Sequence, residues 1–544
     1  MRASGILLPI FSLPSSAGPG GFTRSAYQFI DFLQAAGQKI WQVLPLNPPA
    51  KGSSPYTPSS CFAGNPAFID PEALVAEGLL TDAFLSEWLA EEKKAADQES
   101  GTGSAPASGS RRINYAAHAP IQDALLREAF RVFRERSDRA ADQAAFESFC
   151  QEQADWLEDT ALFYALEREY PGKSWLDWPA PLAHREETAL SEARARLTDE
   201  IDFVKWVQFE FFRQWGAVRE YARARGLLIL GDLPIYTALE SCDCWAHPEV
   251  FQLGPDGRPV NVSGCPPDGF APRGQFWGNP LYAWADRPEP VFQWWLARIR
   301  STLTLFDAVR IDHFRGFEAF FSIPAATGDP AQGKWVPGPG LPFFQRLEQA
   351  LTEEGLTAPT GFPRFVAEDL GYLTPEVYAL LNATGFPGMK VLQFAFDGTP
   401  DNPYLPGRIG PNSLVYTGTH DNDTSLGWMK TLPDWARAQL RQVLAENLPE
   451  DLAGPILARA NDPAQAPAAL AEGLVLLAEF TAADTCLIPL QDWLGLDSGA
   501  RINVPSVPYG NWAWQVSPAD LGGRTLEELA GWIREITRRS GRLG

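Results

Sequence analysis

The sequence predicts a (β/α)8 barrel enlarged by two insertions. Three observations predict it: eight short runs are apolar or β-branched throughout instead of alternating, helical patterns fall between several of them, and 544 residues suit one large barrel with insertions. Continuous apolar character is what parallel strands need when both faces of the sheet are covered.

In order, the runs are 5–10 (GILLPI), 39–44 (KIWQVL), 227–235 (LLILGDLPI), 306–313 (FDAVRIDH), 364–370 (RFVAEDL), 389–396 (MKVLQFAF), 413–421 (SLVYTGTHD) and 485–493 (TCLIPLQDW). Any one alone could be a segment of buried helix; eight in series, each flowing into polar or Gly/Pro-rich sequence, suggest the barrel. Helical periodicity covers 25–36, 294–305, 375–382 and 435–446.

The runs are unevenly spaced. Residues 51–225 read as an inserted, mostly helical subdomain, clearest at 144–170 and 201–225, which divides the barrel into 1–50 and 226–544. Within it, GTGSAPASGS (101–110) is small and polar enough for a flexible surface loop. After the third run, 236–288 is rich in Pro, Gly and Trp and reads as an irregular segment lying over the cleft, without a clear helix. A capping box, Thr525 with Glu528, opens the last helix, whose apolar side carries Leu526, Leu529, Trp532, Ile533 and Ile536. No internal repeat of solenoid length is visible.

Composition narrows the partners. A net charge of −22 argues against nucleic acid and against an anionic membrane surface, because both require clustered Lys and Arg, and it fits an uncharged substrate. No apolar run approaches the ~20 residues that span a bilayer. Six scattered cysteines, with no signal peptide ahead of them, suggest free thiols in a reducing cytoplasm. The 19 tryptophans could offer flat platforms to sugar faces, although packing in a large core accounts for most of them.

In a barrel, polar residues at the C-terminal strand ends are the default catalytic set. Those ends read Gly231-Asp232, Arg310-Ile311-Asp312-His313, Glu368-Asp369 and His420-Asp421-Asn422-Asp423. Each acid has a bland reading as a helix cap or loop anchor, and Arg310 with Asp312 could be a structural ion pair. Alternation along a strand nevertheless turns Arg310 and Asp312 to one side, where a guanidinium favours the charged carboxylate that a nucleophile requires. HDND could bind Ca2+ or Mg2+ but lacks the calcium-loop spacing, so metal is the lesser reading. No G-x-S-x-G occurs, and GPGG (18–21) has no following Lys-Ser/Thr for a phosphate loop. Three acids on three strand ends are what glycosyl transfer with retention needs: a nucleophile, an acid/base and a third carboxylate at the sugar.

The ordered motifs GILLPIFSLPS, SPYTPSSCFAGNP, GDLPIYT, WAHPEVFQLG, PPDGF, FWGNPLYAW, FDAVRIDHFRGF, VAEDLG, GFPGMKVLQFAF, TGTHDNDT, INVP and GNWAWQ span nearly the whole chain. In them the sequence resembles the 4-α-glucanotransferases of the amylomaltase (disproportionating enzyme) type, in the wider α-amylase clan. The resemblance implies Asp312 as nucleophile, Glu368 as acid/base and Asp421 as transition-state stabiliser. It implies Arg310, His313, His420, Asp232 and Tyr56 at the donor sugar, Trp277 and Asn279 in a segment closing over the glucan, and Phe394 at the acceptor side. From the residues alone, Tyr56, Trp277 and Phe394 read as packing and Asn279 as a turn residue.

The implied activity is transfer of an α-1,4-glucan segment to the 4-hydroxyl of another glucan or glucose. The implied partners are α-1,4-glucans and maltooligosaccharides, with no cofactor or metal and the chain a monomer or weak homo-oligomer. A retaining hydrolase of the same clan shares the acids and is the near alternative; a silent glucan-binding protein is the remote one. Three departures stand out: Leu8-Pro9-Ile10-Phe11 where the family usually has a His, Pro505-Ser506-Val507 in place of Pro-Gly-Thr, and Gln515 in place of Arg.

Overall fold

The computed structural model describes residues 2–50, 52–98, 111–136, 140–267, 273–371, 373–507 and 509–543. Eight parallel strands close a barrel: β1 (Ala3–Leu7), β2 (Ile40–Gln42), β3 (Leu228–Leu233), β4 (Ala308–Ile311), β5 (Phe365–Ala367), β6 (Gly388–Val391), β7 (Ser413–Tyr416) and β8 (Thr485–Pro489). Each neighbours the next in sequence, and β8 returns to β1 with Ala3 opposite Thr485. Six of the apolar runs contain one of these strands, and the other two overlap β1 and β6, which begin just ahead of them. The observed strands are shorter than the runs because the C-terminal residues of each run leave the ladder and form the mouth.

The lumen is packed, not hollow. Leu7, Ile40, Leu230, Val366, Met389, Val391, Leu414, Tyr416 and Leu487 form one buried cluster inside it. Gly231 is demanded by that geometry: a Cβ there would sit 2.1 Å from the Phe306 ring. Trp41, Trp206, Trp215, Trp245, Trp295, Trp493 and Trp514 are all fully buried, so much of the tryptophan content packs the core.

Between β2 and β3 run helices that include α1 (Tyr115–Glu135), α2 (Ala140–Glu152), α3 (Ala154–Glu169) and α4 (Thr198–Ala224). The helical pattern over 144–170 is thus two helices: the chain breaks at Gln153, whose φ of −105° and ψ of 9° leave the α region. The second half of α4 turns to the barrel, where the Trp215 Nε1–H donates to the Leu305 carbonyl at 2.9 Å. The segment 101–110, read as a flexible loop, lies outside the described residues.

The segment read as irregular, 236–288, is partly ordered β-structure and holds a five-residue helix, Cys242–Ala246. Asn261–Cys265 and Gln275–Pro280 pair antiparallel and join Ala319–Pro324 and Lys334–Pro337 in a four-stranded sheet. Two of its strands come from beyond β4, so no local pattern in 236–288 could show the sheet. Helix α5 (Pro288–Leu305) then leads into β4, and the last helix starts on the expected reciprocal cap of Thr525 and Glu528.

Candidate active site

Adjacent strands place Asp232 at the end of β3 and Arg310 on β4, directly opposite each other in register. The Arg310 Nη1 donates to both Asp232 oxygens at 2.7 and 2.8 Å and lies 3.0 Å from Asp312 Oδ1. Burial opposes the charge on Arg310, but the two carboxylates outweigh it and hold the guanidinium pKa well above its usual range. Burial pushes the Asp232 carboxyl up while Arg310 opposes it. The Tyr56 hydroxyl donates to Asp232 Oδ2 at 2.8 Å, and its ring stacks on His420 with centroids 5.0 Å apart. Burial, reinforced by Asp232, raises the Tyr56 phenol so that it stays a donor.

Glu368, just beyond β5, is held by two backbone donors: His313 N–H to Oε2 and Leu370 N–H to Oε1, both at 2.8 Å. His313 reaches it through a left-handed backbone, φ 46°, an unfavourable conformation for a residue with a Cβ. Burial raises the Glu368 carboxyl to about 7; Arg310 opposes and Asp312 adds to the rise. Burial lowers the His313 imidazole to about 4, leaving it neutral near pH 7. A carboxyl that titrates near neutrality can both give and take a proton.

Asp421 stands beyond β7 and is about half exposed. The Asn503 Nδ2 donates to its Oδ1 at 2.6 Å, and the Arg501 guanidinium donates to its backbone carbonyl at the same distance. Sequence reasoning assigned no role to Asn503, although it falls in INVP; nor to Trp512 of GNWAWQ, whose ring lies 5.7 Å from Tyr56 and 5.8 Å from His420.

The remaining residues divide. Trp277 packs edge-on against His313 at 4.9 Å and so reaches the acid cluster. Asn279 is buried, with both ends of its amide engaged: Oδ1 accepts from Ser263 Oγ on the neighbouring strand at 3.2 Å, and Nδ2 donates to the Thr237 carbonyl in the loop after β3 at 3.0 Å. Phe394 meets Tyr404 edge-on at 5.6 Å, in the turn after β6. Gln515, the departure from Arg, is buried and donates to the carbonyls of Phe11 and Gly18. Among the described residues no group of three or more His, Cys, Asp or Glu side chains could hold a metal ion.

The family model for 4-alpha-glucanotransferases matches residues 8–520. The chain belongs to the 4-α-glucanotransferase family. It is 42% identical over 538 residues to the 4-alpha-glucanotransferase of Thermus thermophilus, covering 97% of this chain and 98% of that protein. It is 38% identical over 548 residues to the chloroplastic/amyloplastic enzyme of Solanum tuberosum, covering 100% and 87%. The solved amylomaltase of Streptococcus agalactiae, in complex with acarbose, superposes with a TM-score of 0.85 at 33% identity, covering all of both chains.

Membership makes the chain a glucan-transferring enzyme and places its barrel in the fold of the amylomaltases. No described helix is long and apolar enough to cross a membrane.

Proposed function

We propose that this enzyme transfers α-1,4-glucan segments with retention, through a covalent glycosyl intermediate on Asp312. The observation that carries the reading is the unlike environment of two neighbouring acids: Asp312 touches a guanidinium, whereas Glu368 is partly buried between two backbone donors, with its pKa raised to about 7. Such a pair suits a charged nucleophile beside a protonated acid. In the first step Glu368 gives its proton to the leaving glycosidic oxygen as Asp312 Oδ attacks C1, and the reducing-end fragment departs. In the second, Glu368 takes the proton of an acceptor 4-hydroxyl, which displaces Asp312 from C1. Asp421 holds sugar hydroxyls through both steps, and Tyr56, Asp232 and His420 frame the donor sugar. The substrates are α-1,4-glucans and maltooligosaccharides, and the chain acts in the cytoplasm.

The acid role fixes a pH limb. As pH rises through about 7 the proton leaves Glu368, so kcat/KM for maltotriose should fall on the alkaline side of that value. α-Glucosyl fluoride needs no protonation to leave, and its kcat/KM should lack the limb. An alkaline limb shared by both donors would remove Glu368 as the acid.

Asn503 supplies a second test. A hydrogen bond to a charged group contributes ~1.5–3 kcal/mol, and partial exposure of Asp421 favours the low end. Asn503→Ala should therefore lower kcat about tenfold with KM little changed. Asn503→Asp, which sets a second carboxylate against Asp421, should be worse. Equal activity in all three proteins would show that Asp421 needs no positioning.

A further inference from the structure

A cavity of about 510 Å3 lies away from the acid cluster, between the helical insertion and the outside of the barrel. One wall is a single face of α5: Pro290, Gln293, Trp294, Ala297, Ser301 and Thr304 recur at helical spacing. The opposite wall begins where α2 breaks into α3 and carries Gln153, Trp156 and Thr160. None of the residues assigned to the reaction lines it.

We infer that this cavity is a second binding site for an uncharged oligosaccharide, a maltooligosaccharide segment held outside the reaction centre. The inference rests on the glucan-transfer reading for the identity of the sugar.

Three features select that ligand class. First, an aromatic wall is built and fixed: Trp156 is half-buried, its Nε1–H is satisfied by Gln153 Oε1 at 2.9 Å, and its ring lies nearly parallel to Phe62, 16° apart. A locked indole presents an apolar face at little entropic cost, which suits the C–H face of a pyranose.

Second, hydroxyls and amides surround that wall. Trp294, 5% exposed, has no acceptor for its Nε1 among the described residues. Third, much of the charge in the lining is already paired. Asp159 pairs with Arg185 at 2.8 Å, Glu249 lies 3.4 Å from His247, and Arg300 pairs with Glu354. Glu152 and Asp155 stand exposed at the rim. Asp243, the buried carboxyl of the lining, accepts from the Cys61 N–H at 2.9 Å, and burial raises its pKa. A neutral polyhydroxylated ligand therefore meets acceptors and donors without a cation having to be supplied.

The helix break at Gln153 belongs to the same construction. The Trp156 N–H closes on the Gln153 carbonyl at 3.2 Å, so Gln153 engages Trp156 through both its backbone and its side chain.

The test uses the full chain carrying Asp312→Asn, which blocks turnover, and calorimetric titration with maltoheptaose. Two classes of site are expected. Adding Trp156→Ala should weaken one class at least tenfold and leave the other unchanged. Ser301→Trp, which fills the cavity from the barrel side, should remove the same class and guards against local unfolding of the insertion. With Asp312 restored, both variants should keep wild-type kcat and KM on maltotriose but show a several-fold higher KM on long amylose.

One class of site, untouched by either variant, would overturn the inference while leaving maltotriose transfer intact. Spermidine displacing the second class would overturn it in favour of a cationic ligand. Absence of maltotriose transfer in the parent enzyme would instead strike the glucan-transfer reading.

Discussion

Asp312→Asn and Glu368→Gln should both lose glucan transfer by roughly four orders of magnitude or more, and then part company on α-glucosyl fluoride. With this donor the C1–F bond breaks without a proton, so Glu368→Gln can still form the ester between C1 and Asp312. The ester then persists, because the base that activates the acceptor is missing too. Mass spectrometry of the intact protein should show an added glucosyl group on Glu368→Gln and none on Asp312→Asn. The reverse pattern would exchange the two roles. Labelling of neither, with both proteins folded, would remove the covalent mechanism.

The largest effect on folding is expected at Arg310. Its guanidinium is 5% exposed and carries Asp232, whose side chain is fully buried, as well as Asp312. Arg310→Met leaves the Asp232 carboxylate without its cation, and breaking such a pair from one side costs ~3–5 kcal/mol. Urea unfolding of Arg310→Met should show a loss of that size, together with loss of activity. Pairing the change with Asp232→Asn removes the stranded charge, and the double variant should unfold at higher urea than Arg310→Met. A single variant within ~1 kcal/mol of wild type would mean that the ion pair is not closed in solution.

What the sequence made legible follows from how local each signal is. β3, β4 and β7 announced themselves because buried parallel strands are continuously apolar and end abruptly in Asp232, Asp312 or Asp421. The acids could be gathered at one mouth by strand polarity alone. The break at Gln153 was not legible, since Glu152, Gln153 and Asp155 are all compatible with helix. Nor was the four-stranded sheet, because Asn261–Cys265 pairs with Ala319–Pro324 across an intervening helix and barrel strand.

The site shows the same division. Arg310 and Asp312 share a strand, and their proximity could be read from alternation. Asn503 meets Asp421 across 82 positions of chain, and no neighbouring residue signals the contact. His313 is the intermediate case. Its position beside Asp312 was plain, but the left-handed backbone that aims its N–H at Glu368 appears only once β4 and β5 are packed. Asn279 was the least legible, since one end of its amide meets Ser263 within the sheet that the sequence concealed and the other meets the Thr237 carbonyl beyond β3.

The most direct measurement is the chain-length distribution produced from maltotriose by the purified enzyme at early times. Transfer predicts glucose together with maltopentaose and longer chains, because a maltosyl unit held on Asp312 is passed to a second maltotriose. Glucose and maltose with nothing longer than the substrate would show water as the acceptor, and would contradict the account.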